Sequence, residues 1–148
     1  RHRRGVRTAR RRPPAALEHV RRKPLASAAV SATIRALHEE GLVERAAELG
    51  PRILEMTRAA VDQHCGHLVS ETRGEGLLIG VDFHTAEAAT EFLIALLDEG
   101  VIPSYSLNSS NVLRLTPPAV LTDSDLRRLE GALDRAAATL GHTLPAAA

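Results

Sequence analysis

The 148-residue sequence predicts an α+β fold, in which helices pack on a small, mainly antiparallel sheet, and three observations predict it. Four segments carry apolar residues at three- and four-residue spacing, the period of a helix with one buried stripe. Four shorter runs have strand character, and residues 77–83 alternate most cleanly. The last of these runs holds an anomaly: Val112, Leu113 and Leu115 surround Arg114, and Pro117 and Pro118 stop the strand because they cannot donate to a sheet ladder. A guanidinium does not lose its charge, so Arg114 needs an anion, and a carboxylate suits its planar fork.

Hydrophobic residues make up 44% of the chain and charged ones 25%, a composition that fits one globular domain with a real core. No apolar run approaches the ~20 residues that span a bilayer, and the first residues lack the apolar stretch of a secretory signal. A cytoplasmic location is therefore expected. The single cysteine, Cys65, excludes an internal disulfide. The net charge of +1 conceals an asymmetry, because residues 1–23 hold nine arginines and one lysine against the one acid Glu18. Residues 24–148 hold nine basic and seventeen acidic residues, so an acidic body carries a basic head.

Residues 1–23 show no hydrophobic period and cannot bury a core face, which predicts a disordered basic arm. Such an arm could bind nucleic acid through phosphate charge, although it has no aromatic for base stacking; an inert, solvated tail is the alternative. Organised sequence begins at Pro24, which suits a first helical turn, and Ala26, Val30, Thr33, Ile34 and Leu37 form one stripe before Gly41 supplies a stop. A second helix runs from about Val43 to Gln63 with Ala46, Leu49, Ile53, Met56 and Ala60 as its seam. Gly50 and Pro51 should kink or split it. His64, Cys65 and His67 could ligate a metal, but no second, separated ligand pair accompanies them, so an ordinary helix terminus is expected and no metal site is assigned.

Strands are expected over 68–73 and 77–83, with Gly74 and Gly76 as turn residues. These glycines precede a strand and not a helix, so a dinucleotide loop fails on context. Alternation places Leu77, Ile79, Val81 and Phe83 on one face and Leu78, Gly80 and Asp82 on the other. Thr85 can cap a helix with Ala89, Phe92, Leu93, Leu96 and Leu97 on its stripe. Residues 101–105 make a short strand that Pro103 pushes toward an edge, and the polar turn 106–110 returns it as a hairpin into the Arg114 strand. Thr122 and Asp125 have the form of a capping box for a helix with Leu126, Leu129, Leu133, Ala136 and Leu140 as its seam, closed by Gly141. Residues 142–148 form a tail.

Four motifs in this order resemble a known family. They are Pro24, Leu25 and Ala26 opening an alanine-rich helix; the run His38 to Ala46; the run Arg73 to Phe83; and the run Val112 to Pro118. Over residues 24–141 the chain resembles the C-terminal part of class III, pyridoxal-phosphate-dependent aminotransferases. The resemblance implies the small domain of a two-domain, dimeric fold-type I enzyme, including the helix that leaves the large domain. It implies transfer of an amino group from an amine or ω-amino acid to a keto acid, with pyridoxal 5′-phosphate as cofactor. Arg114 matches the family's arginine that pairs with a substrate carboxylate; a structural salt bridge to Asp82 or Glu75 is the competing account. The hairpin around Ser104 to Asn108 and the run Leu115 to Pro118 point to the ornithine and putrescine branch, with the acetylornithine branch as the other option.

In the family, the Schiff-base lysine and the acid that partners the pyridinium nitrogen lie upstream in the large domain. Lys23 is the only lysine of this chain and matches no family lysine, so no catalytic or cofactor-binding residue is assigned and the chain alone is expected to be inactive. Just before Pro-Leu-Ala the family has a Ser-Thr-Phe-Gly-Gly-Asn run, where this chain has Glu18, His19, Val20, Arg21, Arg22 and Lys23. One permitted codon set for Ala16 to Lys23, read one base later, encodes His-Ser-Ser-Thr-Phe-Gly-Gly-Asn. Residues 1–23 are thus expected to be an out-of-frame translation. A stand-alone α+β interaction or nucleic-acid-binding module that uses the basic arm is the reading from another class.

Overall fold

The computed structural model describes residues 24–146, so the basic arm and the reading-frame expectation fall outside the described residues. The described residues fall into two units, with the boundary between Glu40 and Gly41. Of the first, the described part is one helix, α1 (Pro24–Glu39), which buries none of its residues. Its apolar stripe follows the expected spacing, and Leu25, Val30, Ile34 and Leu37 are all exposed.

The second unit begins at Gly41, whose φ of 61° is the left-handed conformation that glycine adopts without cost. Helix α2 (Leu42–His64) follows, then a short 3₁₀ turn (Gly66–Leu68) and strands β1 (Val69–Glu75) and β2 (Leu78–Phe83). Helix α3 (Ala86–Asp98), strands β3 (Ser104–Ser106) and β4 (Ser109–Leu115), and helix α4 (Asp123–Thr143) complete it. The strands form one antiparallel sheet in the order β1-β2-β4-β3, which bears out the α+β expectation and puts the Pro103 hairpin strand at an edge. Helix α2 packs on β1, α3 packs on β2 and β4, and α4 lies against both helices.

One core results. Ile79, Val81 and Phe83 of β2 and Leu113 and Leu115 of β4 point to the helices, where they meet Leu49, Ile53, Phe92, Leu96, Leu133 and Leu140. Phe83 and Phe92 meet with ring centroids 5.4 Å apart at 53°, a tilted pairing that suits the two ring quadrupoles. Both caps are as the sequence predicts. Thr85 Oγ1 accepts from the Ala88 amide at 3.2 Å, and Thr122 and Asp125 form a complete capping box at the start of α4.

Four expectations need correction. Helix α2 is not split: it runs unbroken through Pro51, and because Ala47 is exposed, the carbonyl that loses its amide partner can turn to water. Gly50 has a packing reason instead, since a Cβ there would collide with the backbone carbonyl of Gly76 in the β1–β2 turn. Gly141 likewise does not close α4, which continues to Thr143; it lets the helix approach the His64 carbonyl. The first hairpin strand is only three residues long, and Leu97 sits 46% exposed rather than on the buried stripe of α3.

Candidate functional site

Because the inner sheet face is filled by the core, the residues that alternate with it form the outer face, and that face carries the charged side chains. Antiparallel register places residues that oppose one another on the same side. Gly80 of β2 opposes Arg73 of β1 on one side and Arg114 of β4 on the other, and Arg114 in turn opposes Ser104 of β3. One row across the sheet therefore reads Arg73, Gly80, Arg114, Ser104. The next row holds Glu71, Asp82 and Val112.

Gly80 has no side chain, so a gap separates the two arginines. An open cleft of about 420 Å³ occupies this region, and Arg73, Glu75, Leu78, Ser106, Val112 and Arg114 line it. The two guanidinium groups are in different states. Arg73 Nη1 donates to Glu71 Oε2 at 2.6 Å and to Asp82 Oδ2 at 3.3 Å. The bond to Glu71, and after it the one to Asp82, raises the Arg73 pKa above its ordinary value, so this group is fixed as a paired cation. Arg114 has no such partner: its Nε is buried and makes no hydrogen bond. Among the described residues neither Asp82 nor Glu75 forms an ion pair with it. The salt-bridge account of Arg114 thus lacks its partner among the described residues.

The other residues singled out in the sequence have structural roles. His64 Nε2 lies 2.8 Å from Asp134 Oδ1, and His67 Nε2 lies 2.9 Å from the Leu144 carbonyl oxygen, so the two rings tie the end of α2 and the following turn to α4 and the residue after it. Cys65 is buried between them, and burial, aided by the Asp62 charge, pushes its thiol up to about 11. A thiol with that pKa is neutral at physiological pH and a poor nucleophile or ligand. A further groove of about 280 Å³, lined by residues such as Ile53, Val101, Pro117 and Leu129, carries no titratable side chain.

The amino-acid pattern singles out Arg114 as the anomaly, but it carries no sign that Arg73 belongs to the same row. Six residues, the turn among them, separate Arg73 from Gly80, and only the register of β1 on β2 and of β2 on β4 brings the arginines to either side of one glycine.

Comparison with known proteins adds a family. The sequence model of the family described as aminotransferase class-III matches residues 22–137. An acetylornithine aminotransferase of Mycobacterium leprae is 34% identical over 122 residues, which are 80% of this chain and 28% of that protein. An ornithine aminotransferase from Toxoplasma gondii shares the fold with a TM-score of 0.72 at 24% identity, over 81% of this chain and 28% of its own. The acetylornithine aminotransferase from Elizabethkingia anophelis does so with a TM-score of 0.66 at 27% identity, over 76% of this chain and 29% of its own. The chain thus spans less than a third of the length of the relatives it matches. None of these matches supports a nucleic-acid-binding module.

Proposed function

The chain belongs to the class-III aminotransferase family, and on that premise we propose that it is the C-terminal small domain of a pyridoxal-phosphate-dependent aminotransferase in which Arg114 receives the carboxylate of a substrate. The observation that carries the role of Arg114 is that its side chain lines the open cleft while no acid among the described residues pairs with its guanidinium. An ionised carboxylate offers the acceptor that this donor lacks, and a charge-assisted bond from a planar guanidinium fixes the orientation of the acid as well as its position. The domain spans residues 24–141, with α1 as the connection to a large domain. The intact enzyme is a cytoplasmic homodimer that takes an amine or ω-amino acid as donor and a keto acid as acceptor. Among the described residues no helix is long and apolar enough to cross a membrane.

The residues present fit the substrate's acid and not the cofactor. Holding pyridoxal phosphate covalently requires an amine, and the outer sheet face offers guanidinium groups but no lysine; Lys23 is the only lysine of the chain. The cofactor chemistry belongs to residues this chain does not contain, and the chain alone does not transaminate. Residues 1–23 are an out-of-frame translation in this reading, supported by the family match beginning at residue 22, where the basic stretch ends. Sequencing the gene tests this directly: codons 16–23 should encode His-Ser-Ser-Thr-Phe-Gly-Gly-Asn one base later, and any other reading refutes it.

The role of Arg114 is tested on the 148-residue chain by titration with glutarate at constant ionic strength, following backbone amides of Gly80 and Val112 by NMR. Saturable shifts should appear in the wild type and vanish in Arg114→Gln. Equal binding by both would remove Arg114 from the site.

A further inference from the structure

Two strands flank β4, and between them they carry one acid. Strand β3 reads Ser104, Tyr105, Ser106, and β2 contributes only Asp82. Asp82 opposes Val112, so it stands one row from Arg114 on the adjacent strand and on the same face. By the same register it stands one row from Arg73 on its other side, because Glu71 opposes Asp82 and Arg73 opposes Gly80. Diagonal neighbours of this kind are within reach of long side chains. The central strand therefore offers one carboxylate to two arginines, and the carboxylate lies on Arg73 at 3.3 Å.

We propose that Arg73 is a positioning residue which, by holding Asp82 on the β1 side of Gly80, keeps the Arg114 guanidinium free for an incoming carboxylate. This rests on the reading of Arg114 as a carboxylate receptor and extends it to the question of what protects that receptor from its own sheet. An intramolecular carboxylate competes with any dissolved one at a high effective concentration, so an Asp82 released from Arg73 occludes Arg114 without any change of fold. Gly80 contributes by leaving the space between the two arginines open: its Cβ position has only ordinary contacts, the nearest with Val112 Cγ1 at 3.7 Å. Glu71 lies on the same Arg73 Nη1 at 2.6 Å, which fixes the guanidinium on the β1 side while it retains Asp82. Glu75 also lines the cleft but stands on the far strand β1, opposite Leu78, with β2 between it and Arg114.

The test uses the full 148-residue chain, with glutarate as probe, Gly80 and Val112 amides as binding readout, and the Arg114 Nε–Hε resonance as a report on its partner. Arg73→Gln should weaken glutarate about fivefold, the factor an exposed ion pair of this kind can supply, and should shift the Arg114 Nε resonance before any ligand is added. Arg73→Lys, which keeps the charge, should retain most of the affinity. The double variant Arg73→Gln with Asp82→Asn should recover wild-type affinity, because the competing acid is gone, and Asp82→Asn alone should bind at least as well as wild type. A purely structural role for Arg73 predicts the reverse pattern, in which the double variant is no better than Arg73→Gln. The proposal is overturned if Arg73→Gln binds like wild type with the Arg114 resonance unmoved, or if removing Asp82 fails to restore binding. Loss of the Arg114 reading is a separate outcome, marked by Arg114→Gln binding glutarate as well as wild type does. If Arg73→Gln does not fold, Asp82→Asn decides alone: weaker binding than wild type contradicts the proposal.

Discussion

Arg114 keeps a buried donor without an acceptor, a state that costs about 1–3 kcal/mol for a polar group removed from water. A side chain retained at that cost serves something other than stability. Arg114→Leu should therefore raise the unfolding free energy by about 1 kcal/mol in urea titrations while abolishing carboxylate binding; a loss of similar size would mean that the guanidinium is bonded within the fold. The need of this residue for an anion is legible in the sequence, because a permanent charge set among Val112, Leu113 and Leu115 has to be balanced by one of opposite sign. That its neighbour on the next strand is taken by Arg73 is not legible. The competing salt bridge to Asp82 is as reasonable from sequence as the free guanidinium, and the choice between them depends on which of two diagonals the carboxylate follows.

Helices and strands are readable wherever the signal is local. The capping box at Thr122 and the cap at Thr85 depend on residues three apart, and the alternation of β2 depends on residues two apart, so each can be found without knowing the rest of the fold. Gly50 and Gly141 mislead because each is placed by a partner distant in sequence, the Gly76 carbonyl and the His64 carbonyl respectively. A glycine within a helical pattern signals a break by propensity alone, and only packing shows that it permits a close approach. Gly50→Ala should accordingly destabilise the second unit by about 1–3 kcal/mol, where a solvent-facing helical glycine would gain from the same change. A neutral or stabilising result in thermal unfolding would contradict the close contact. The attachment of α4 also gives a pH dependence. Hydrogen bonds from Thr122 lower the Asp125 pKa, and the hydrogen bonds from Arg135 lower that of Glu99. Folded-state pKa values below the unfolded ones stabilise the fold above the ordinary carboxylate range, and this contribution is lost as pH falls through the lowered values. Asp125→Asn and Glu99→Gln should each flatten the loss of stability below about pH 4, and acid titrations superimposable on wild type would count against these bonds.

At the level of the whole molecule, apolar side chains remain uncovered: Leu25, Val30, Ile34 and Leu37 on α1, and Leu78 beside the arginine row. Together with a length under a third of that of the matched relatives, this supports a chain built to lie against more protein. Self-association should be visible by analytical ultracentrifugation at micromolar concentration, and a monodisperse monomer with no dye-binding surface would argue for an independent domain. Composition places the chain among globular proteins and ordered motifs point to its family, but neither can show that the sheet turns one face to a core and leaves the other, with its cation, open. The claim on which the functional reading depends is that this open face receives an acid at Arg114. A crystal structure of the 148-residue chain grown with glutarate tests it most directly. A glutarate carboxylate should lie within about 2.7–3.2 Å of an Arg114 Nη nitrogen, with Asp82 still on Arg73. An Arg114 folded onto Asp82 or Glu75, with glutarate absent from the cleft, would contradict it.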